Sequence, residues 1–342
     1  SREIRSSRNP PGAKLGAPAS GGSLPCELHF DSTGALWKLL KASIQTDAET
    51  AASTQVTSVD ADTTPNHLLA SGVGTGIEVG DVVQILSSGD VLLGYRRVTA
   101  VAANDVTYEG AAINALNVKV KRGIRIKNGS TAKNFSMIEA NYAPNTSTYN
   151  RFEIFKGQGV DTAALQIALG QITTLEFGIV GVGSSGLSTS DPSSGTPTYT
   201  AAPTSEVHDS LNNVPSIQVA AAEYPVQSVS INWANGLRPR GVVGQRTPTG
   251  VGSGQFRGGG TITAYYDDIA EYNKALAGTK SDLLVVSRDS TGLAYVISIP
   301  SIRWGNPTRT NKVQDEQIIT NLPFVFETDA TENIGIKIHA YA

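Results

Sequence analysis

The chain has 342 residues, 39% of them hydrophobic and 17% charged, with 27 Lys and Arg against 30 Asp and Glu for a formal net charge of −3. That length exceeds one average domain and leaves core size unrestricted, while the balanced charge argues against tight nucleic-acid binding, which needs a basic footprint. The single cysteine, Cys26, excludes an intrachain disulfide and a cysteine-built zinc cage, and no apolar run reaches the roughly 18 residues of a membrane-spanning helix.

Glycine is abundant, at 35 residues, and with Ser and Thr it favours short strands and many turns. Ser1 stands first and Met137 is the only methionine, so the sequence reads as starting downstream of a natural start. Residues 1–23, with Arg2, Arg5, Arg8 and Asn9-Pro10-Pro11-Gly12, read as an extended arm too poor in apolar side chains to hold itself in a core. The alternation of Leu24, Cys26, Leu28 and Phe30 predicts a strand with one buried face. Asp31 or Ser32 can cap a helix over Gly34 to Ala42, with Leu36, Leu39 and Leu40 on one face and Lys38 and Lys41 outside. Residues 46–122 change character and predict a small inserted β-module. Its strands fall near 79–85, 97–101 and 105–108, with turns at Ser88-Gly89-Asp90 and Ala103-Asn104-Asp105.

From Gly123 the strand signals become regular. Ile124 to Lys127 ends at Asn128-Gly129, a hairpin-turn pair, and Phe135 to Glu139 follows. Leu165 to Leu169 turns at Gly170 into Thr174 to Ile179. Residues 183–210, mostly Gly, Ser, Thr, Pro and Ala, predict a long loop or an ordered contact arm. After a strand at Val226 to Trp233, the turn Asn235-Gly236-Leu237 opens a glycine tract that runs through Gly250, Gly252 and Gly254 to Gly258-Gly259-Gly260 and a strand from Thr261. Asp267 to Leu276 predicts a short helix with Asp267 and Asp268 at its positive end, Ile269, Tyr272 and Leu276 as its apolar stripe, and Gly278 as its stop. Strands at 282–286, 294–300 and 334–338 complete the pattern.

No constellation for catalysis, cofactor or metal emerges. Gly250-Val251-Gly252-Ser253-Gly254 looks like a phosphate cradle, but a strand follows it where a helix is needed, and Arg257 stands in place of the third glycine. Gly72-Val73-Gly74-Thr75-Gly76 fails the same test. His29, His67, His208 and His339 are never four apart. Cys26 and His29 would point to opposite faces of a strand, and the adjacent acids Asp267-Asp268 and Asp315-Glu316 diverge. The chain therefore reads as non-enzymatic. Arg238, Arg240, Arg246 and Arg257 form a basic loop that fits DNA contact or pairing with acids on a neighbouring copy. The second is preferred, because no aromatic residues interleave to stack bases.

The order of elements resembles the tail tube proteins of long-tailed (siphovirus-like) bacteriophages over most of the chain. The early strand and helix are Leu24-Pro25-Cys26-Glu27-Leu28 and Trp37-Lys38-Leu39-Leu40. The small module carries Ile77-Glu78-Val79-Gly80-Asp81-Val82-Val83 and Tyr95-Arg96-Arg97-Val98-Thr99-Ala100-Val101. Next come Ile126 to Glu139 and Phe155-Lys156-Gly157, then Ser230-Ile231-Asn232-Trp233-Ala234-Asn235-Gly236-Leu237, Gly260 to Tyr266 and Tyr295 to Pro300.

The resemblance implies a mainly β fold: a tail-tube sandwich or barrel with short flanking helices over residues 1–45 and 123–342, with the small β-module 46–122 inserted. It implies rings of identical subunits, commonly six, stacked into a hollow tube through which genomic DNA leaves the virion without specific binding. Terminator, baseplate and tape-measure proteins would be the other partners. The location would be the virion tail, assembled in the bacterial cytoplasm, with no membrane, cofactor or metal involved. A capsid decoration or tail-terminator protein, and a β-rich carbohydrate-binding or adhesin module, remain as alternatives.

Overall fold

A computed structural model describes residues 20–63, 66–142, 149–192, 203–214, 216–265, 269–309, 318–329 and 333–342. Strands dominate, and one 15-stranded antiparallel sheet folds over on itself as two layers. The front layer runs in the order Ser20–Glu27, Thr174–Gly181, Tyr149–Ala168, Val226–Ala234, Arg257–Tyr265, Ile319–Phe326. The back layer contains Ile124–Lys127, Lys337–Tyr341, Ala294–Trp304, Lys280–Arg288 and Ser216–Val219. Ala294–Trp304 joins the layers: its first half pairs with Lys337–Tyr341 and its last residues pair with Ile319–Phe326.

Between the layers lies the main core, with Leu165, Phe177, Ile231, Trp233, Ile262 and Phe324 from the front and Val285, Ile297, Ile299 and Ile338 from the back. The helix Ala35–Ser43 closes this core with Leu36, Trp37 and Leu40. Trp37 stacks on Tyr295, so the buried stripe includes the tryptophan as well as the predicted leucines, and Leu39 is only partly covered. Asp31 does the expected capping from outside the first turn: its carboxylate accepts the N–H groups of Gly34 and Leu36. Trp233 donates its indole N–H to Ser43 Oγ at 3.1 Å, and Asn235 donates to the carbonyls of Ser43 and Val160, both at 2.9 Å. The strand end at residue 235 is thereby tied to the helix end.

Residues 56–121 form a closed barrel in the order Val56–Thr63, Asn66–Leu69, Asp105–Tyr108, Leu92–Ala102, Val82–Leu86, Ala115–Lys121. Its interior is filled by Val59, Leu68, Val83, Ile85, Val98, Val106, Val118 and Val120. The barrel rests on the outer side of the back layer, where Val82 and Tyr95 pack with Leu284, Val286, Val296 and Tyr341. The back layer is thus covered on both sides, and Ala294–Trp304 is accordingly buried at nearly every position.

Several expectations are corrected. Ser20–Ser23, expected in an arm, pair with Gly178–Gly181; backbone bonding needs no apolar side chain there. The first strand ends at Glu27, and residues 1–19 lie outside the described residues. Gly183–Ser188, expected in a loop, is a strand on Phe152–Lys156, while 193–202 lie outside the described residues. Leu165–Leu169 is the end of a 20-residue strand, Tyr149–Ala168, bent at Gly157 (φ +57) and bulged between Val160 and Thr162.

Asn128-Gly129 makes no hairpin. Ile124–Lys127 pairs with the C-terminal strand, and the Asn128 side chain accepts the N–H groups of Gly335 and Ile336. The second helix is Ile269–Ala277, stopped at Gly278 (φ +63). It buries Glu271 and Ala275 and exposes Leu276, because Glu271 is held by Lys274 and Ser281 on the inner side. Asp267, Asp268, the Ile269 side chain and Asp315-Glu316 lie outside the described residues.

Candidate assembly interface

Among the described residues the front layer buries one face and leaves the other open. In a strand, alternate residues go to opposite faces, so the register decides what the open face carries. Leu165, Phe177, Val229, Ile231, Ile262 and Leu322 point inward. Their neighbours point outward and line up in rows across four strands. Gln166 lies beside Ser230, Thr261 and Pro323. Ala168 lies beside Ser228, Thr263 and Asn321. Ala164 lies beside Asn232, Gly259 and Val325. Gln166 Nε2 donates to Ser230 Oγ at 2.9 Å, and Thr263 Oγ1 donates to Asn321 Oδ1 at 3.0 Å. Hydroxyls, amides and small apolar groups make up these rows, with no charged side chain in them.

Charge appears only at the margins. Glu27 and Glu176 lie along one border, where Ser23 donates its hydroxyl to Glu176. Arg303 stands at the other border, across from Val325, and shares Glu327 with Lys280. Arg257 sits at the end of its strand.

The glycine run at 258–260 is what lets this sheet close up. A Cβ on Gly258 would meet the Phe326 ring at 2.1 Å, and one on Gly260 would meet the Ser230 carbonyl oxygen at 2.0 Å. The run therefore serves close strand packing, with no helix after it to make an anion site.

The front layer also has an open border. Ser20–Glu27 hydrogen-bonds to Thr174–Gly181 on one side, and its other side has no strand partner among the described residues. Pro25 belongs there, since a proline lacks the N–H that an inner strand would need. Gly21, Gly22 and Ser23 are exposed along it, with neither a bulge nor a lysine to blunt the edge.

The other singled-out residues take bland places. His208 is buried and shares a 2.6 Å hydrogen bond with Ser287; His339 is buried beneath the barrel; His67 pairs with Asp105 at 2.6 Å on the barrel; His29 faces the Glu27 carbonyl. Among the described residues no three His, Cys, Asp or Glu side chains gather as a metal set, and no helix is long and apolar enough to cross a membrane. Cys26 donates to the Leu175 carbonyl, and burial pushes its thiol up from the ordinary value. The arginine cluster is divided. Arg238 and Arg240 lie on a ribbon formed by Arg238–Pro239 and Val251–Gly252, Arg246 lies in its tip, and Arg257 starts the next strand; all four are exposed.

One feature of the barrel junction escaped sequence reading. Asp81, fully buried, accepts both oxygens' worth of bonding from Arg125 Nη1, at 2.7 and 2.8 Å. Arg122 and Lys337 stand 3.4 and 3.6 Å away. Desolvation opposes ionisation of Asp81, but its basic neighbours, Arg125 and Lys337 among them, outweigh it and hold the carboxyl below its usual range. Nothing in the spacing of residues 81, 122, 125 and 337 announces that cluster.

A family model described as Phage tail tube protein matches residues 1–327. No curated protein matches the chain.

Proposed function

The chain belongs to the phage tail tube protein family and has a structural role in the viral tail, and from that premise we propose that its copies close side by side into rings, six on the family pattern, whose bore is lined by the open face of the front layer. The observation that carries this reading is the sidedness of the molecule. One layer presents an open face whose three central rows carry no charge across four strands, while the barrel covers the layer on the opposite side.

Central rows of hydroxyls and amides give DNA phosphates no cations to bind there, so a duplex slides instead of sticking. Barrels of strands abolish edges, and the open border at Ser20–Glu27 is the edge that ring closure would pair. The acidic border with Glu27 and Glu176 would then approach the border with Arg303 and Lys280 of the next copy. In this arrangement residues 1–45 and 123–342 build the tube wall, and the inserted module 46–122 stands outside it, clear of the bore. Stacked rings would conduct the genome into the host, with terminator, baseplate and tape-measure proteins at the ends and within.

Electron microscopy of the purified protein tests the proposal. Hollow tubes with averaged cross-sections placing the barrel outermost are expected. Monomers or closed dimers under all assembly conditions would overturn it, and single rings that never grow would favour a terminator instead.

A further inference from the structure

The strand Val226–Ala234 begins and ends at two unlike surfaces. Its first residues wall a groove of about 310 Å³ lined by Leu169, Val214, Ile217, Tyr224 and Pro225, with Glu223 beside them. Ile172 and Leu211 stand exposed at that same end, on turns joined by the Ile172–Asp209 bridge. The strand's last residue leads into the ribbon of Arg238–Pro239 and Val251–Gly252, whose base packs on Tyr149–Ala168 and Thr174–Gly181. Arg240 N–H donates to the Gly250 carbonyl and Thr249 N–H to the Arg240 carbonyl, so the ribbon is ordered almost to its tip. At the tip Gln245 N–H donates to the Val242 carbonyl and Gly244 takes φ +86. Glycine supplies the turn's conformation; it asks nothing of the two valine side chains before it, and Val243 is 102% exposed.

The charges at the two ends are opposite. The segment 235–256 carries Arg238, Arg240 and Arg246 and no acid. Glu223 lines the groove, Asp209 adjoins its wall residue Ser210, and Glu206 accepts a hydrogen bond from Asn213 beside its wall residue Val214. Hydrogen bonds from Ser290 and Asn213 hold Glu206 down to about 2, and those from Asn212 hold Asp209 below its usual range, so both are anions at neutral pH. Arg288, whose backbone meets Asn213 there, turns its side chain to the Tyr95 hydroxyl of the barrel.

We propose that the ribbon tip of one copy, Val242-Val243 flanked by Arg240 and Arg246, seats in the Leu169–Ile217–Tyr224 groove of the copy stacked on it. The inference rests on the tube reading above and assigns its ring-to-ring contact. Both surfaces lie on one strand, roughly 27 Å apart along its axis. Seating one in the other is a head-to-tail contact, which builds a filament when its rotation does not close. The apolar tip leaves water for an apolar groove, while arginines meet carboxylates at the rim.

Val243→Asp tests it, since this exposed residue touches no core and the variant should melt like the parent. Single rings with no tubes in electron micrographs are the expected result. A charge swap, Arg240→Glu with Glu223→Arg, should regain tubes that Arg240→Glu alone loses. In a Cys26→Ser background, Val243→Cys with Leu211→Cys should form disulfides only between copies. Val243→Asp tubes of parental length would overturn the assignment. So would a variant that forms no rings, because the ribbon would then serve closure within the ring. Failure of the parent protein to form any hollow fibre would instead sink the tube reading itself.

Discussion

Arg125 grips both carboxylate oxygens of Asp81 through one guanidinium nitrogen, at 2.7 and 2.8 Å, and so bolts the main sheet to the head of the barrel strand Val82–Leu86. The same guanidinium reaches Glu78 at 2.9 Å, and Lys337 Nζ donates to the Val79 carbonyl at 3.1 Å. Removing the acid strands buried cations. Asp81→Ala should lower stability by about 3–5 kcal/mol. Denaturant melts measure that loss, and limited proteolysis should find new cuts flanking the barrel. Unchanged melting and protection would show that the bolt does not hold the module.

His339 should make stability fall as the pH drops. Its Nε2 accepts the Val82 N–H at 3.4 Å, a bond only the neutral ring can take, and burial pushes it from 6.5 down to about 3. Asp81, Lys337, Arg122 and Arg125 are the charged groups around it. The unfolded chain takes up this proton below 6.5 and the folded chain does not until about 3. The contribution is complete above pH 6.5 and declines through that window by about 1.4 kcal/mol per pH unit. Urea midpoints at pH 7 and pH 5 should differ less in His339→Gln than in the parent.

Two glycines in two strands should respond unequally to alanine. A Cβ at Gly260 would lie 2.0 Å from the Ser230 oxygen and 2.7 Å from Phe324 Cζ, whereas one at Gly22 meets nothing within 4 Å. Gly260→Ala should cost about 1–3 kcal/mol or more, and Gly22→Ala should stay within about 0.5 kcal/mol of the parent. Thermal melts compare them directly.

The open border can be closed to partners without touching the fold. Pro25 occupies a position whose nitrogen faces away from Thr174–Gly181, and Ser23, two residues back, shares that direction. Ser23→Pro should fold normally and sediment as a monomer where the parent forms rings. Rings of parental size in that variant would place closure on some other edge.

Adding cations to the open face should make the bore adhesive. Asn232→Lys with Thr261→Lys puts charges on two adjacent strands of that face. Virions carrying these tubes should release DNA more slowly at low salt and recover as salt rises. Equal release rates at all salt concentrations would count against this face lining the bore.

The chain's local chemistry announced many of its strands and its two short helices. Ile124–Lys127 and Asp105–Tyr108 fall where the pattern puts them, because period-two alternation and turn residues act over a few neighbours. The glycines at 258–260 were visible too, but not that Phe326 and the Ser230 carbonyl need the space. Tertiary pairing alone decided the rest. Gly183–Ser188 has no pattern of its own and becomes a strand because Phe152–Lys156 offers it a ladder. The buried charges of the Asp81 cluster run from residue 81 to residue 337, and only the fold brings such distant groups into one dry site. The open face was equally hidden: Ser228, Ser230, Thr261 and Asn321 read as ordinary outward residues until register sets them side by side. Alternation says that a residue points away from a core, whereas what lies across from it depends on backbone bonds to strands far along the chain.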